Sequence, residues 1–235
     1  MLLAACVAAC SAPAAQTLPE PGARLTATLV SPVDITLDWT GDDPGAAGRI
    51  LEFATDPRGA YTILQFMSPR QLTYKHPDLM PETPFYYRLR PFSGPASAPV
   101  EVALPPGDYS EKDQQNGHDW APPRKIPEGG AVTRPIRLPD AAATPTDLEA
   151  TVMHANGIRF TWTDHASDED GYLLESKPEG SADYTQVMVL DPDVDSVGLI
   201  TLPTEKRASY RVRAFYYGKP STVAHQTTGQ TPPGR

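Results

Sequence analysis

Apolar and polar residues alternate one for one through much of this chain. In "DITLDWT", Ile35, Leu37 and Trp39 share one face, and Thr36 and Asp38 share the other. "GIRFTWT" repeats the scheme with Ile158, Phe160 and Trp162. "YYRLR" sets Tyr87 and Leu89 against Tyr86, Arg88 and Arg90. A period of two sends successive side chains to opposite faces of a strand, so each segment predicts a half-buried β-strand. Turn-forming stretches such as "GDDPG", "DPRG", "DEDG" and "KPEG" separate the segments. Many short strands punctuated in this way predict an antiparallel sandwich. No amphipathic segment of useful helical length interrupts them.

The pattern occurs twice, at an offset of 123 residues. Leu25 falls on Leu148, Trp39 on Trp162, Leu51-Glu52 on Leu174-Glu175, Tyr61-Thr62 on Tyr184-Thr185, Tyr87-Arg88 on Tyr210-Arg211, and Val100 on Val223. A register held without a gap over about 75 residues implies two copies of one unit.

These segments carry a family resemblance. A strand ending in tryptophan, an aliphatic-glutamate strand ("RILEFAT", "YLLESKP") and the run "LMPETPFYYRLRPF" together resemble a fibronectin type III domain. Leu79, Pro81 and Thr83 match the approach to that family's F strand, with Phe85 where its corner tyrosine belongs. The second copy keeps Leu202 but carries Thr204, Lys206 and Ala208 at the other positions. The resemblance spans residues 23–104 and 144–231. It implies an all-β chain of two tandem seven-stranded immunoglobulin-like sandwiches, joined by a long proline-rich linker over 105–143.

In such a fold Trp39 and Trp162 are the expected core anchors, faced by Tyr87 and Tyr210. Arg88, Arg90, Arg211 and Arg213 then point outward, across from Glu52 and Glu175 on the neighbouring strand. Opposite charges facing each other across strands stabilise a pair by roughly 0.2–1 kcal/mol, so a solvated ladder is one account of them. A recognition surface is the other: Tyr86, Arg88, Arg90 and Phe92, with Arg211, Arg213 and Phe215, mix aromatic and cationic groups as binding faces do.

Composition narrows the class. The 235 residues include 27 prolines, more than twice average usage. Sheets place prolines in turns, edges and linkers, whereas helices are broken by them. A formal charge of −9 argues against nucleic acid as a partner, because phosphate binding rests on lysine and arginine. The two cysteines, Cys6 and Cys10, both lie in "MLLAACVAACSAPAA", so no disulfide ties the strands together. "LAAC" and "VAAC" each resemble a bacterial lipobox, in which small residues precede the cysteine that receives a lipid. Cys10 is the favoured site and Cys6 the alternative, because the polar, proline-bearing residues 11–22 follow Cys10 as a tether. That reading makes 1–10 a signal-like segment and 232–235 a tail. It places the chain at the bacterial cell envelope, on the periplasmic or extracellular face. Ser11 after Cys10 favours the outer membrane where two membranes exist. The membrane, reached through the lipid, and an envelope protein or glycan are then the expected partners.

Signs of catalysis are few. No GxSxG, P-loop, HExxH or GxGxxG motif is present, and the five histidines are scattered. No cofactor is expected beyond the covalent lipid. The acidic run "DHASDEDG" offers Asp164, Asp168 and Asp170 as calcium ligands, but its spacing is not that of a calcium loop. Acidic turn side chains bonding their own backbone are the simpler account. An extended spacer is the first account of the linker; Trp120 is out of place in a pure spacer and offers a second, in which the segment packs on a sandwich or docks on a partner.

Overall fold

A computed structural model describes residues 22–41, 45–107, 110–111, 113, 117–125, 132–137 and 141–230. Cys6 and Cys10 lie outside them. The chain is all-β. Its strands are β1 (Arg24–Ser31), β2 (Asp34–Thr40), β3 (Gly48–Ala54), β4 (Thr62–Met67), β5 (Thr73–His76), β6 (Pro84–Ser93) and β7 (Val100–Ala103). Then come β8 (Thr146–His154), β9 (Gly157–Thr163), β10 (Gly171–Pro178), β11 (Thr185–Leu190), β12 (Ser196–Ile200), β13 (Arg207–Tyr217) and β14 (Ala224–Thr227).

Two three-stranded sheets, β1-β2-β5 and β12-β9-β8, flank one eight-stranded sheet. The central sheet runs β11-β10-β13-β6-β3-β4, with β14 beside β6 and β7 beside β13. Registers in the two halves correspond. Glu52 pairs with Arg88 as Glu175 pairs with Arg211, and a bulge sits at Leu51/Glu52 as at Leu174/Glu175. Each three-stranded sheet faces four strands of the central one, the layering of immunoglobulin-like sandwiches.

The last strand of each half crosses over. β7 pairs with β13, placing Val100 opposite Tyr210 and Ala103 opposite Arg207. β14 pairs with β6, placing Ala224 opposite Tyr87 and Thr227 opposite Pro84. The cores follow the same exchange. Trp39 (3% exposed) packs with Leu25, Leu37, Tyr87, Leu89 and, from β14, Ala224. Trp162 (3% exposed) packs with Phe160, Tyr172, Tyr210, Val212 and, from the first half, Val102 and Leu104. The repeat units of the sequence, 23–104 and 144–231, are therefore not the packed units in space. One sandwich is β1–β6 with β14; the other is β8–β13 with β7.

Matched serines hold the crossing. Ser97 donates its backbone N–H to Val212 O (2.8 Å), and its Oγ accepts from Val212 N (3.1 Å). Ser221 repeats both bonds on Leu89, at 2.8 and 2.9 Å. Ser97 thus corresponds to Ser221, one residue beyond the 123 offset. This slip explains why Val223 is 55% exposed while Ala224 fills the core. At Gly94, φ is +136°, and a Cβ would lie 2.1 Å from Ala214 O. Only glycine lets the chain pass β13 this closely.

The linker docks on the second sandwich. Trp120 (8% exposed) lies over Gly198 of β12, where a Cβ would come within 2.5 Å of the indole. Its ring meets His154 edge-on at 5.5 Å. Arg124 bridges to Ser196, Arg134 bridges to Ala166, and Ile136 enters the second core.

Candidate functional site

The outer face of each four-stranded half is not a solvent face. Ile50 and Phe92 of the first half pack on Leu173 and Phe215 of the second, all at most 1% exposed. The rings of Phe92 and Phe215 meet edge-on at 6.2 Å. β6 and β13 join at their ends through Tyr216 opposite Ser93 and Tyr217 opposite Phe92. Here the structure corrects the solvated ladder. Glu52 (5% exposed) and Glu175 (1%) are buried, on the same strand faces whose Ile50, Phe92, Leu173 and Phe215 pack together between the halves.

Each buried glutamate binds two arginines. Glu52 Oε2 accepts from Arg88 Nε at 2.5 Å and lies 3.3 Å from Arg90 Nη2. Glu175 accepts from Arg211 Nε at 2.5 Å, from Arg213 Nε at 3.2 Å and from Gln186 Nε2 at 3.2 Å. Arg213 also donates to Gly94 O at 2.6 Å, tying the cluster to the crossing. Aromatic rings cover the guanidiniums: Tyr61 over Arg88 (4.2 Å), Tyr184 over Arg211 (3.9 Å) and Tyr217 over Arg90 (4.3 Å). Burial raises the Tyr61 and Tyr217 phenol pKa values, so both rings stay neutral under the cations.

The expected recognition row is thus divided. Phe92, Phe215 and Arg213 are interior. Tyr86 stacks on His225 of the crossed strand at 4.6 Å. Arg88, Arg90 and Arg211 are half-exposed. Arg211 opens onto a cleft of about 780 Å³ between the end strands β4 and β11, lined also by Glu175, Tyr184, Phe66 and Ile63. Arg70 and Asp183 bridge its rim at 2.7 Å. Among the described residues, strands β4 and β11 end the path of the central sheet, so each has one strand neighbour there.

No protein-family model matches the chain, and no curated protein matches it. Solved structures do. A two-domain fibronectin type III segment of chicken tenascin aligns over 89% of this chain and 99% of its own, at 13% identity and a TM-score of 0.28. The FN1–FN3 domains of chicken CNTN1 align over 90% of this chain and 67% of theirs, at 18% identity and a TM-score of 0.28. Superpositions that loose carry no argument about arrangement or role. The sandwich class rests on the sheet topology itself.

The acidic loops form a second cluster, different from the expected one. Asp168 Oδ1 accepts from Ile136 N at 2.6 Å, and Asp170 Oδ2 accepts from Tyr217 N at 2.7 Å and Arg137 Nη2 at 3.1 Å. Both are occupied in holding the linker and β13. Asp164 instead meets Glu169 and Asp193, with one carboxylate oxygen of each within 4.8 Å of the others. Asp164 accepts from Ala166 N at 2.8 Å and from the Tyr172 hydroxyl. Burial, then the Asp164 charge, push the Glu169 carboxyl above its ordinary pKa. Asp193 escaped the sequence reading because it lies in the β11–β12 turn. The D-x-D-x-D spacing of Asp191, Asp193 and Asp195 was the signal that pointed there.

Proposed function

We propose that the protein is a non-catalytic scaffold of the bacterial cell envelope, built by duplication of one fibronectin type III-like unit. It is anchored by lipid on Cys10, with Cys6 as the alternative, and presents two sandwiches to partner proteins or glycans. The observation that carries this reading is the reciprocal strand exchange. Two units linked by a flexible tether sample many orientations. Two units that each complete the other's sheet keep one, and display a fixed surface. The β4–β11 cleft is the contact surface best suited to a protein partner. Extended peptides add to open strand edges through main-chain hydrogen bonds, with side-chain pockets giving selectivity. Arg211 and Tyr184 on the wall supply the cation and ring that recognition sites favour.

Affinity purification of the full chain from native membranes tests this reading. Wild type is expected to recover a partner that Ile63→Lys combined with Arg70→Glu loses, since both alter the cleft without entering a core. Cys10→Ser is expected to move the protein from the membrane to the soluble fraction. A chain that recovers nothing, or that keeps its location with both cysteines replaced, contradicts the proposal. Recovery of a large membrane assembly would instead favour an accessory role within it, and recovery of polysaccharide together with an enzyme that degrades it would favour an accessory role in carbohydrate handling.

A further inference from the structure

The cluster of Asp164, Glu169 and Asp193 shares no residue with the lining of the β4–β11 cleft and sits in loops of the second sandwich. Asp164 follows the last residue of β9, Glu169 precedes β10, and Asp193 sits in the turn before β12. Two separate connections, the β9–β10 loop with Asp164 and Glu169 and the β11–β12 turn with Asp193, therefore deliver carboxylates to one point. Asp193 holds a left-handed backbone, φ +60°, and its N–H donates to Glu169 Oε1 at 3.1 Å. The other oxygen of Glu169 is different. Glu169 is only 8% exposed, and its Oε2 is buried without a hydrogen-bond partner. A buried, unpartnered carboxylate oxygen is costly, and more so beside two further carboxylates. Among the described residues, the cation paired with the group is Lys125, 3.3 Å from Asp193, with both side chains more than half exposed. A solvated lysine at the rim does not reach the buried oxygen.

We propose that Asp164, Glu169 and Asp193 bind a calcium ion. Calcium–oxygen bonds of about 2.3–2.6 Å place any two ligands of one ion no more than roughly 5 Å apart. One carboxylate oxygen of each residue lies within 4.8 Å of the others, inside that limit. All the donors are hard oxygens, which excludes the soft-ligand metals. Two loops of different conformation, with no regular element setting their ligands' angles, suit the irregular six- to eight-fold shell of calcium better than the strict octahedron of magnesium. Asp193 faces solvent, so water completes the shell on that side. The ion gives Glu169 Oε2 its missing partner and fixes the β9–β10 loop against the β11–β12 turn. Those loops also hold the linker, through Asp168 to Ile136 and through Asp195 N to Arg124 O (3.3 Å). Calcium therefore stabilises the docked linker as well as the loops. The inference is independent of the envelope reading and stands or falls separately.

Terbium luminescence with calcium competition, on the full chain in chelated buffer, tests it. Tyr172 bonds Asp164 directly, and Trp162 lies 5.6 Å from Tyr172, so both rings are placed to sensitise a bound terbium ion. One saturable site, displaced by calcium and accompanied by a calcium-dependent rise in Tm, is expected. Glu169→Gln abolishes both signals, and its Tm in chelator equals or exceeds that of wild type. Asp193→Asn, at an exposed position that folding does not need, weakens binding at least tenfold. Asp168→Asn leaves binding intact. No terbium signal in folded wild type, binding unchanged in Glu169→Gln and Asp193→Asn, or loss only in Asp168→Asn each overturns the proposal.

Discussion

Glu175 keeps only 1% of its surface in water and faces Arg211 and Arg213. Removing one member of a buried ion pair strands the other charges, at about 3–5 kcal/mol. Glu175→Ala is expected to lose stability on that scale in urea unfolding. Glu52→Ala is expected to lose less, because Arg90 keeps 23% of its side-chain surface exposed where Arg213 keeps 10%. Equal losses, or none, would contradict the deeper burial of the Glu175 cluster. His76 is a second residue-scale test. Its ring lies among Phe53, Phe85 and Tyr87, with Nδ1 3.0 Å from the Tyr87 hydroxyl. Burial lowers its pKa below 6.5. The unfolded chain then takes up the proton more readily than the folded one. The stability that His76 contributes is present above pH 6.5 and is lost as pH falls through the folded value. Proton NMR should show a His76 midpoint below 6.5, and His76→Gln should flatten the stability profile in that window. At this scale the sequence placed Glu52 and Glu175 across from the arginines of the neighbouring strand, and the strand register sets Glu52 opposite Arg88 and Glu175 opposite Arg211. It did not identify their burial, because alternation along one strand marks two faces but not what covers the second.

Strands were legible from alternation, and the tryptophan-ended strands were legible as such. Which F strand each final strand joins was not. The two halves offer nearly equivalent edges, so β7 satisfies the pattern equally well beside β6 or β13. Local periodicity contains no term that separates the two. The one-residue slip at Ser97 and Ser221 was hidden for a related reason: Val100 and Val223 match by type, yet only Val100 keeps the core-side register. The crossing depends on particular residues. Ser97→Ala and Ser221→Ala each remove a side chain that accepts a buried backbone N–H, leaving it unsatisfied at about 1–3 kcal/mol. Gly94→Ala should cost more than either, since its Cβ meets a carbonyl that cannot move without shifting β13. Thermal unfolding of the three variants should rank Gly94→Ala lowest. A neutral Gly94→Ala would mean that the chain does not pass β13 at this distance.

For the whole molecule, exchange makes the halves interdependent. Residues 22–104 alone lack β14 and leave the β6 edge open, and residues 105–230 alone lack Val102 and Leu104 from their core. Neither half is expected to give a cooperative unfolding transition by itself, whereas the two mixed should recover one. Truncating Trp39 or Trp162 to alanine should cost about 3–5 kcal/mol each, with loss spreading into both sandwiches rather than one. The most direct test of the exchange is a disulfide. Glu101 and Ser209 are opposed partners on β7 and β13, while Tyr86 is the position Glu101 would face on its own half's F strand. In a full chain with Cys6 and Cys10 replaced by serine, Glu101→Cys with Ser209→Cys is predicted to oxidise rapidly to a cross-linked monomer, and Glu101→Cys with Tyr86→Cys is predicted to remain reduced. The reverse result, a bond to position 86 and none to position 209, would return β7 to its own half and contradict the account.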